Sequence, residues 1–391
     1  MRILTLLLII LFSPSNLANN TETIVGEEKL TSGKSETLFN VPNKPVLNST
    51  STKYVCQLCP HVTSIYNTKV YEHDGKCPVC NMNLIELHEP SVSPDIKLHT
   101  GSGNYFIAGG KGNPHKLINI FYHKPKHFGP SSSVLIVVPG AGRNAWSYRD
   151  SWIEASEKYN VLILSPAYAE VDYGFGDYHL GRTVSSFTFT NQLAMEVGKK
   201  TGKYYFSDDE LAFDINNNSD TWIFNDFDRI FEQAIESLAT KQTRYDIFGH
   251  SAGGQILHRL AIFKPMSKVN RILASNSGSY TIANYEHRLP FGLRDSQITE
   301  QHLHRSFASH LVLLIGELDN EEETSGSMLH TPIVDKQGQG RLSRSQYFYQ
   351  KGKQQASDIG ANFNWKIEVV QGVGHNYKDM GKAAAIYLYA D

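Results

Sequence analysis

Seven short runs rich in Val, Ile and Leu, at 117–122, 134–138, 161–164, 245–248, 271–274, 311–315 and 365–370, recur beyond residue 90. Continuous apolar runs of this length suit strands buried on both faces of a sheet. The stretches 147–159, 227–238, 255–263, 343–356 and 378–389 place their apolar residues at helical spacing. Strand alternating with helix predicts an α/β fold, a mostly parallel sheet with helices on both faces. The interval 167–225 breaks the rhythm and holds Tyr168, Tyr173, Phe175, Tyr178, Phe187 and Phe189. Intervals of that length without a clear pattern are uncommon in a compact domain, so it reads as a lid-like insertion, with a purely structural excursion as the alternative.

The run 245–248 leads directly into Gly249-His250-Ser251-Ala252-Gly253-Gly254 and then into a helical stretch. A serine on so tight a strand-to-helix turn needs small residues two positions to either side. The turn leaves its hydroxyl exposed at the carboxyl end of the sheet. That hydroxyl is a poor nucleophile until a base removes its proton, so a histidine oriented by a carboxylate must reach it. In this arrangement the chain order is serine, acid, histidine. The run 311–315 ends in Gly316-Glu317-Leu318-Asp319, which makes Asp319 the expected acid and Glu317 its competitor. The run 365–370 is followed by Gln371-Gly372-Val373-Gly374-His375, which puts His375 where the base belongs. A tetrahedral intermediate also needs N–H donors aimed at its oxyanion. The amide of Ala252 supplies one. Pro139-Gly140-Ala141-Gly142, after the run 134–138, supplies the second from Ala141, with Gly142 next in line.

On these motifs, residues 91–391 resemble the α/β-hydrolase superfamily and, within it, the poly(3-hydroxybutyrate) depolymerase-like esterases. The resemblance is carried by the serine elbow, the Pro139-Gly140-Ala141-Gly142 loop, Asp319 and Gly374-His375. It departs at Pro139, where many members carry a histidine before the glycine. It implies a carboxylic-ester hydrolase working through an acyl-enzyme on a small or polymeric ester, without a cofactor for catalysis. Peptide hydrolysis is the nearest alternative. An inactive hydrolase scaffold in a metal-binding or sensing protein is the reading from another class, and it would be marked by a missing triad member.

All four cysteines fall within 51–90, which draws a domain boundary near residue 90. Cys56-Gln57-Leu58-Cys59 and Cys77-Pro78-Val79-Cys80 are two Cys-x-x-Cys knuckles separated by 17 residues. The spacing matches a zinc-ribbon-like site in which four thiolates hold one zinc or another thiophilic ion, with two disulfides as the alternative. The segment also resembles the heavy-metal-binding domain attached to metal efflux proteins, at Tyr54, Cys56, Pro60, Gly75, Cys77, Pro78, Cys80, Met82 and Leu84. It departs from that pattern with Leu58 and Cys59 in place of Met and His, and with Asn81 in place of Gly. His61 and His73 read as surface residues rather than ligands.

Met1-Arg2 precedes a ten-residue apolar run, 3–12, which spans only about half of a ~30 Å hydrocarbon core. Residues 1–18 therefore read as a signal peptide, 19–50 as a polar linker, and the mature protein as exported, periplasmic or secreted, and free of the membrane. The 37 basic residues nearly balance the 39 acidic ones, which excludes the concentrated basic surplus of a nucleic-acid binder.

Overall fold

The computed structural model describes Tyr54–Val55, Tyr71, 73–76, 84–86 and 91–390 apart from 94 and 239. The expected signal peptide (1–18), the linker (19–50) and the four cysteines, Cys56, Cys59, Cys77 and Cys80, lie outside the described residues. The strands β1 (Tyr54–Val55) and β2 (Ile85–Glu86), on either side of the cysteines in sequence, pair antiparallel.

The chain then runs through β3 (Gly101–Ala108), β4 (Leu117–Lys124), β5 (Val134–Val138), α1 (Ala145–Ser151), α2 (Ile153–Tyr159) and β6 (Leu162–Ala167). There follow α3 (Phe175–Tyr178), β7 (Val184–Phe189), α4 (Gln192–Thr201), β8 (Lys203–Tyr205), β9 (Leu211–Ile215) and α5 (Phe224–Leu238). The remainder is β10 (Tyr245–His250), α6 (Ala252–Phe263), β11 (Val269–Ser275), α7 (Glu300–Phe307), β12 (Leu311–Gly316), β13 (Met328–His330), α8 (Pro332–Asp335), α9 (Arg341–Asp358), β14 (Lys366–Val370) and α10 (Tyr377–Tyr389).

Eight strands form one sheet in the order β14-β12-β11-β10-β5-β6-β4-β3. The first six are mutually parallel, and β4 runs antiparallel to both β6 and β3. Every residue of β5, β10 and β12 is buried, as coverage on both faces requires. Because side chains alternate along a strand, successive residues of β5 feed different cores. Ile136 and Val138 join Phe227, Phe231, Ile256 and Leu260 of α5 and α6 on one face. Leu135 and Val137 join Trp152, Phe248, Met380 and Leu388 on the other. Each such side chain contributes roughly 1.5–3 kcal/mol relative to exposure. β14 lies at the sheet edge and buries none of its residues completely.

Two expectations change, and one excursion is new. The single helix expected over 147–159 is two helices, α1 and α2, meeting at Trp152, whose buried ring packs 5.4 Å from that of Phe248. The interval 167–225 has its own strands and helices. Within it β7 pairs antiparallel with β9, and β8 pairs parallel with β13, which lies between β12 and α8 in the chain. Residues 276–299 form an additional excursion without helix or strand, yet Tyr280, Ala283 and Leu293 within it are fully buried. No helix among the described residues is long and apolar enough to cross a membrane.

Phe248 immediately precedes the Gly249-His250-Ser251 turn and has no solvent exposure. Phe248→Ala is expected to lower unfolding free energy by about 3–5 kcal/mol, read from the shift of the urea midpoint. A change below 1 kcal/mol would contradict the packing described.

Candidate active site

Parallel strands end at one edge of the sheet, and the chain places Ser251, Asp319 and His375 past the ends of β10, β12 and β14. Ser251 follows β10 with φ 59° and ψ −115°, a left-handed conformation that costs a non-glycine residue about 1–3 kcal/mol. The turn is held by the Ser251 amide donating to the Ser275 carbonyl at 2.9 Å, and by the Gln255 amide donating to the Ser251 carbonyl at 3.0 Å. Room explains the glycines. A β-carbon on Gly249 would strike the backbone of Gly253, and one on Gly253 would lie 2.7 Å from the Pro139 carbonyl oxygen and still closer to that of Val138.

The acid and the imidazole meet. His375 Nδ1 and Asp319 Oδ2 are 2.7 Å apart, and Asp319 is fully buried. The loops that bear them are zipped together by the Glu317 amide donating to the Val370 carbonyl and the Leu318 amide donating to the Val373 carbonyl, each at 2.9 Å. Glu317, the competing acid, instead accepts the Gly372 amide at 2.9 Å. Asp319 has further donors that motif reading did not single out. Asn276 Nδ2 donates to Oδ2 at 2.5 Å, and Arg341 Nη1 donates to Oδ1 at 2.8 Å. Glu323 accepts the His375 amide at 2.8 Å. Asn276 immediately follows β11, so its place at a strand end was a usable signal. Arg341 opens α9, where a cation opposes the helix dipole, and that misfit was the only local hint.

Burial by itself would raise the Asp319 carboxyl, but the hydrogen bond from His375, the Arg341 charge and the Asn276 amide outweigh it and hold the group below the usual aspartate range. An ionised carboxylate makes Nδ1 of His375 the hydrogen-bond donor and leaves Nε2 with a free lone pair. Burial also pushes the imidazole down; the Asp319 hydrogen bond opposes this and the Arg341 charge reinforces it.

Among the described residues no hydrogen bond joins Ser251 to His375. Shared neighbours link them. The ring of His250, which adjoins Ser251 in the chain, has its centroid 4.5 Å from that of His375 and is itself bonded to the Tyr148 hydroxyl at 3.2 Å. A β-carbon on Gly140 would lie 3.4 Å from Ser251 Cβ, so the loop after β5 runs directly beside the serine. Ala252 begins α6, and neither its amide nor that of Ala141 is engaged by a backbone carbonyl among the described residues. The loop is clamped by the interval after β6. Arg143 Nη1 donates to the Tyr168 and Tyr173 carbonyls at 3.1 Å each, its guanidinium lies 3.7 Å from the Tyr178 ring centroid, and the Tyr178 hydroxyl donates to the Pro139 carbonyl at 2.7 Å. The large aromatics Tyr168, Tyr173, Trp222, Tyr280 and Phe291 are buried as core, whereas Trp146 is partly exposed.

No protein-family model matches the chain, and no curated protein matches it. Solved structures do. Poly(aspartic acid) hydrolase-1 from Sphingomonas sp. KT-1 aligns with TM-score 0.63 and 27% identity over 75% of this chain and 100% of its own. LpqC, a poly(3-hydroxybutyrate) depolymerase from Bordetella parapertussis, aligns with TM-score 0.62 and 26% identity over 74% of this chain and 90% of its own. The chain is a hydrolase. Its α/β fold with a mainly parallel central sheet is that of these α/β-hydrolase neighbours.

The electrostatics carry a direct expectation. The His375 imidazole is expected to titrate below the ordinary value of 6.5, so that it remains the free base as pH falls through that value. NMR titration of the ring protons measures it, and a midpoint at or above 6.5 would contradict the described environment.

Proposed function

We propose that this hydrolase cleaves carboxylic esters through an acyl-enzyme on Ser251. The observation that carries the reading is the imidazole of His375 bound through Nδ1 to buried Asp319, at the same sheet edge as the strained Ser251 turn. Nε2 of His375 takes the proton from Ser251 Oγ as the oxygen attacks the acyl carbon. The amides of Ala252 and Ala141 receive the developing oxyanion, and Asp319 stabilises the imidazolium. The imidazolium then protonates the departing alcohol. Water, deprotonated by the same nitrogen, releases the acid and restores Ser251.

The two neighbours are named for polymer substrates, which supports an ester of a polymer or of its oligomers as substrate. Amide hydrolysis at the same site is the second reading, favoured by the neighbour named for poly(aspartic acid), an amide-linked polymer. The interval 167–225 is read as the cover of this site, supported by its clamp on the loop beside Ser251. For the N-terminal segment we propose export of the chain and a thiophilic ion, zinc by preference, held by Cys56, Cys59, Cys77 and Cys80. The support is the knuckle spacing, together with the β1–β2 pairing that brings the segments flanking the cysteines side by side.

Ser251→Ala is expected to lower turnover of p-nitrophenyl butyrate by several powers of ten, up to about 10⁶, with the fold retained by circular dichroism. A fluorophosphonate probe is expected to label wild-type Ser251 and not the variant. Near-normal activity in Ser251→Ala would end the proposal, and an unlabelled wild type would favour the inactive scaffold. Asp319→Asn is expected to cost about 10⁴ in kcat, while Glu317→Gln stays near wild type. The reverse ranking would move the acid to Glu317. Rates on 3-hydroxybutyrate oligomers against poly(aspartic acid) separate ester from amide preference.

A further inference from the structure

Arg341 is almost wholly buried, opens a helix whose dipole disfavours it, and leaves its own Nε without an acceptor. What it gains is a set of contacts around the acid. Nη1 donates to Asp319 Oδ1 at 2.8 Å and to the Ser325 carbonyl at 3.4 Å, and Nη2 donates to the Ser327 carbonyl at 3.0 Å. Between those two carbonyls stands Gly326, with φ 73°. A β-carbon there would lie 2.7 Å from His375 Cδ2, 2.8 Å from its Nε2 and 3.0 Å from Arg341 Nη2. The 325–327 backbone is thus wedged between the guanidinium and the edge of the imidazole, and only glycine fits.

We propose that Arg341 is a positioning residue of the hydrolytic site, fixing both the carboxylate of Asp319 and the backbone that borders Nε2 of His375. A carboxylate bonded through one oxygen can turn about its Cβ–Cγ axis. Here Oδ2 serves His375 and Asn276 while Oδ1 is held by the guanidinium, so Oδ2 stays aimed at the imidazole. The rigid planar fork matters, because it spans the carboxylate and two carbonyls at once. Immediately beyond Ser327, β13 pairs with β8, so the same side chain ties the interval 167–225 to the acid.

The permanent charge of Arg341 also disfavours protonation of His375. The groups that face this imidazole are Asp319 beyond β12, Glu323 and the Gly326 backbone in the following segment, Arg341 at the start of α9, and His250 at the end of β10, itself bonded to the Tyr148 hydroxyl of α1 and near the ring of Tyr377. Arg341 is the only permanent cation in that set, and Asp319 and Glu323 act in the opposite sense.

The inference rests on the reading of Ser251, His375 and Asp319 as the working groups, so fluorophosphonate labelling of wild-type Ser251 is read first; its failure sinks that reading independently of Arg341. With labelling established, the pH profile of kcat/KM is measured on p-nitrophenyl butyrate for wild type, Arg341→Gln and Arg341→Lys. In Arg341→Gln the acid limb is expected to move to higher pH, with kcat reduced and KM little changed. In Arg341→Lys the charge remains but the fork is lost, so the limb is expected to stay in place while kcat falls. A folded Arg341→Gln whose acid limb stays at the wild-type position overturns the proposal. If Arg341→Gln does not fold, Arg341→Lys decides: reduced kcat with an unmoved limb supports the fork, and wild-type kcat overturns it.

Discussion

A single buried charge organises the carboxyl edge of this sheet. Asp319 has no solvent to share its charge with, and an unpaired carboxylate at that depth would take up a proton instead. It is kept ionised by donors from separate parts of the chain: the imidazole beyond β14, the amide of Asn276 beyond β11 and the guanidinium that opens α9. Removing one partner of such a buried pair typically costs roughly 3–5 kcal/mol, so these segments are bound to the acid as much by electrostatics as by packing. The backbone bonds from Glu317 and Leu318 to the loop before His375 complete the frame. The imidazole of His375 is thereby held against Asp319.

The serine side of the site is built on close approach rather than charge. Gly249 and Gly253 allow β10, α6 and the end of β5 to touch, and that contact brings the 139–142 loop beside Ser251. Arg143 then fastens the loop to the Tyr168 and Tyr173 carbonyls of the interval that follows β6, and Tyr178 of that interval donates back to the Pro139 carbonyl of the loop. The aromatic richness of that interval thus has a structural role. Tyr168, Tyr173 and Tyr178 are buried struts for the loop that bears the expected oxyanion donors, and β8 joins the same interval to the segment carrying Gly326.

Much of this was legible in residue order because buried strands announce themselves. The runs 134–138 and 311–315 are continuously apolar, and 245–248 is interrupted only by Asp246, which pairs with Arg271; both faces are covered, and each run points to a loop with expected site residues at its carboxyl end. β3 was not legible, since this edge strand buries only Tyr105 and Ile107, and its first half, Gly101-Ser102-Gly103-Asn104, carries no apolar side chain. The division between α1 and α2 was hidden because Trp152 continues the helical period across the break. The pairing of His375 with Asp319 could be expected from chain order. Arg341 could not be assigned a role, because its partner lies 22 residues away and one arginine at a helix start belongs to no motif.

The central claim is that Ser251 becomes covalently acylated during turnover. Acid quenching during hydrolysis of a p-nitrophenyl ester, followed by intact-mass and peptide mass spectrometry, tests it most directly. The account predicts an adduct of the acyl mass on the peptide containing Ser251, absent when that serine is alanine. Rapid turnover in a serine-to-alanine protein, or an acyl adduct located at another residue, would contradict it.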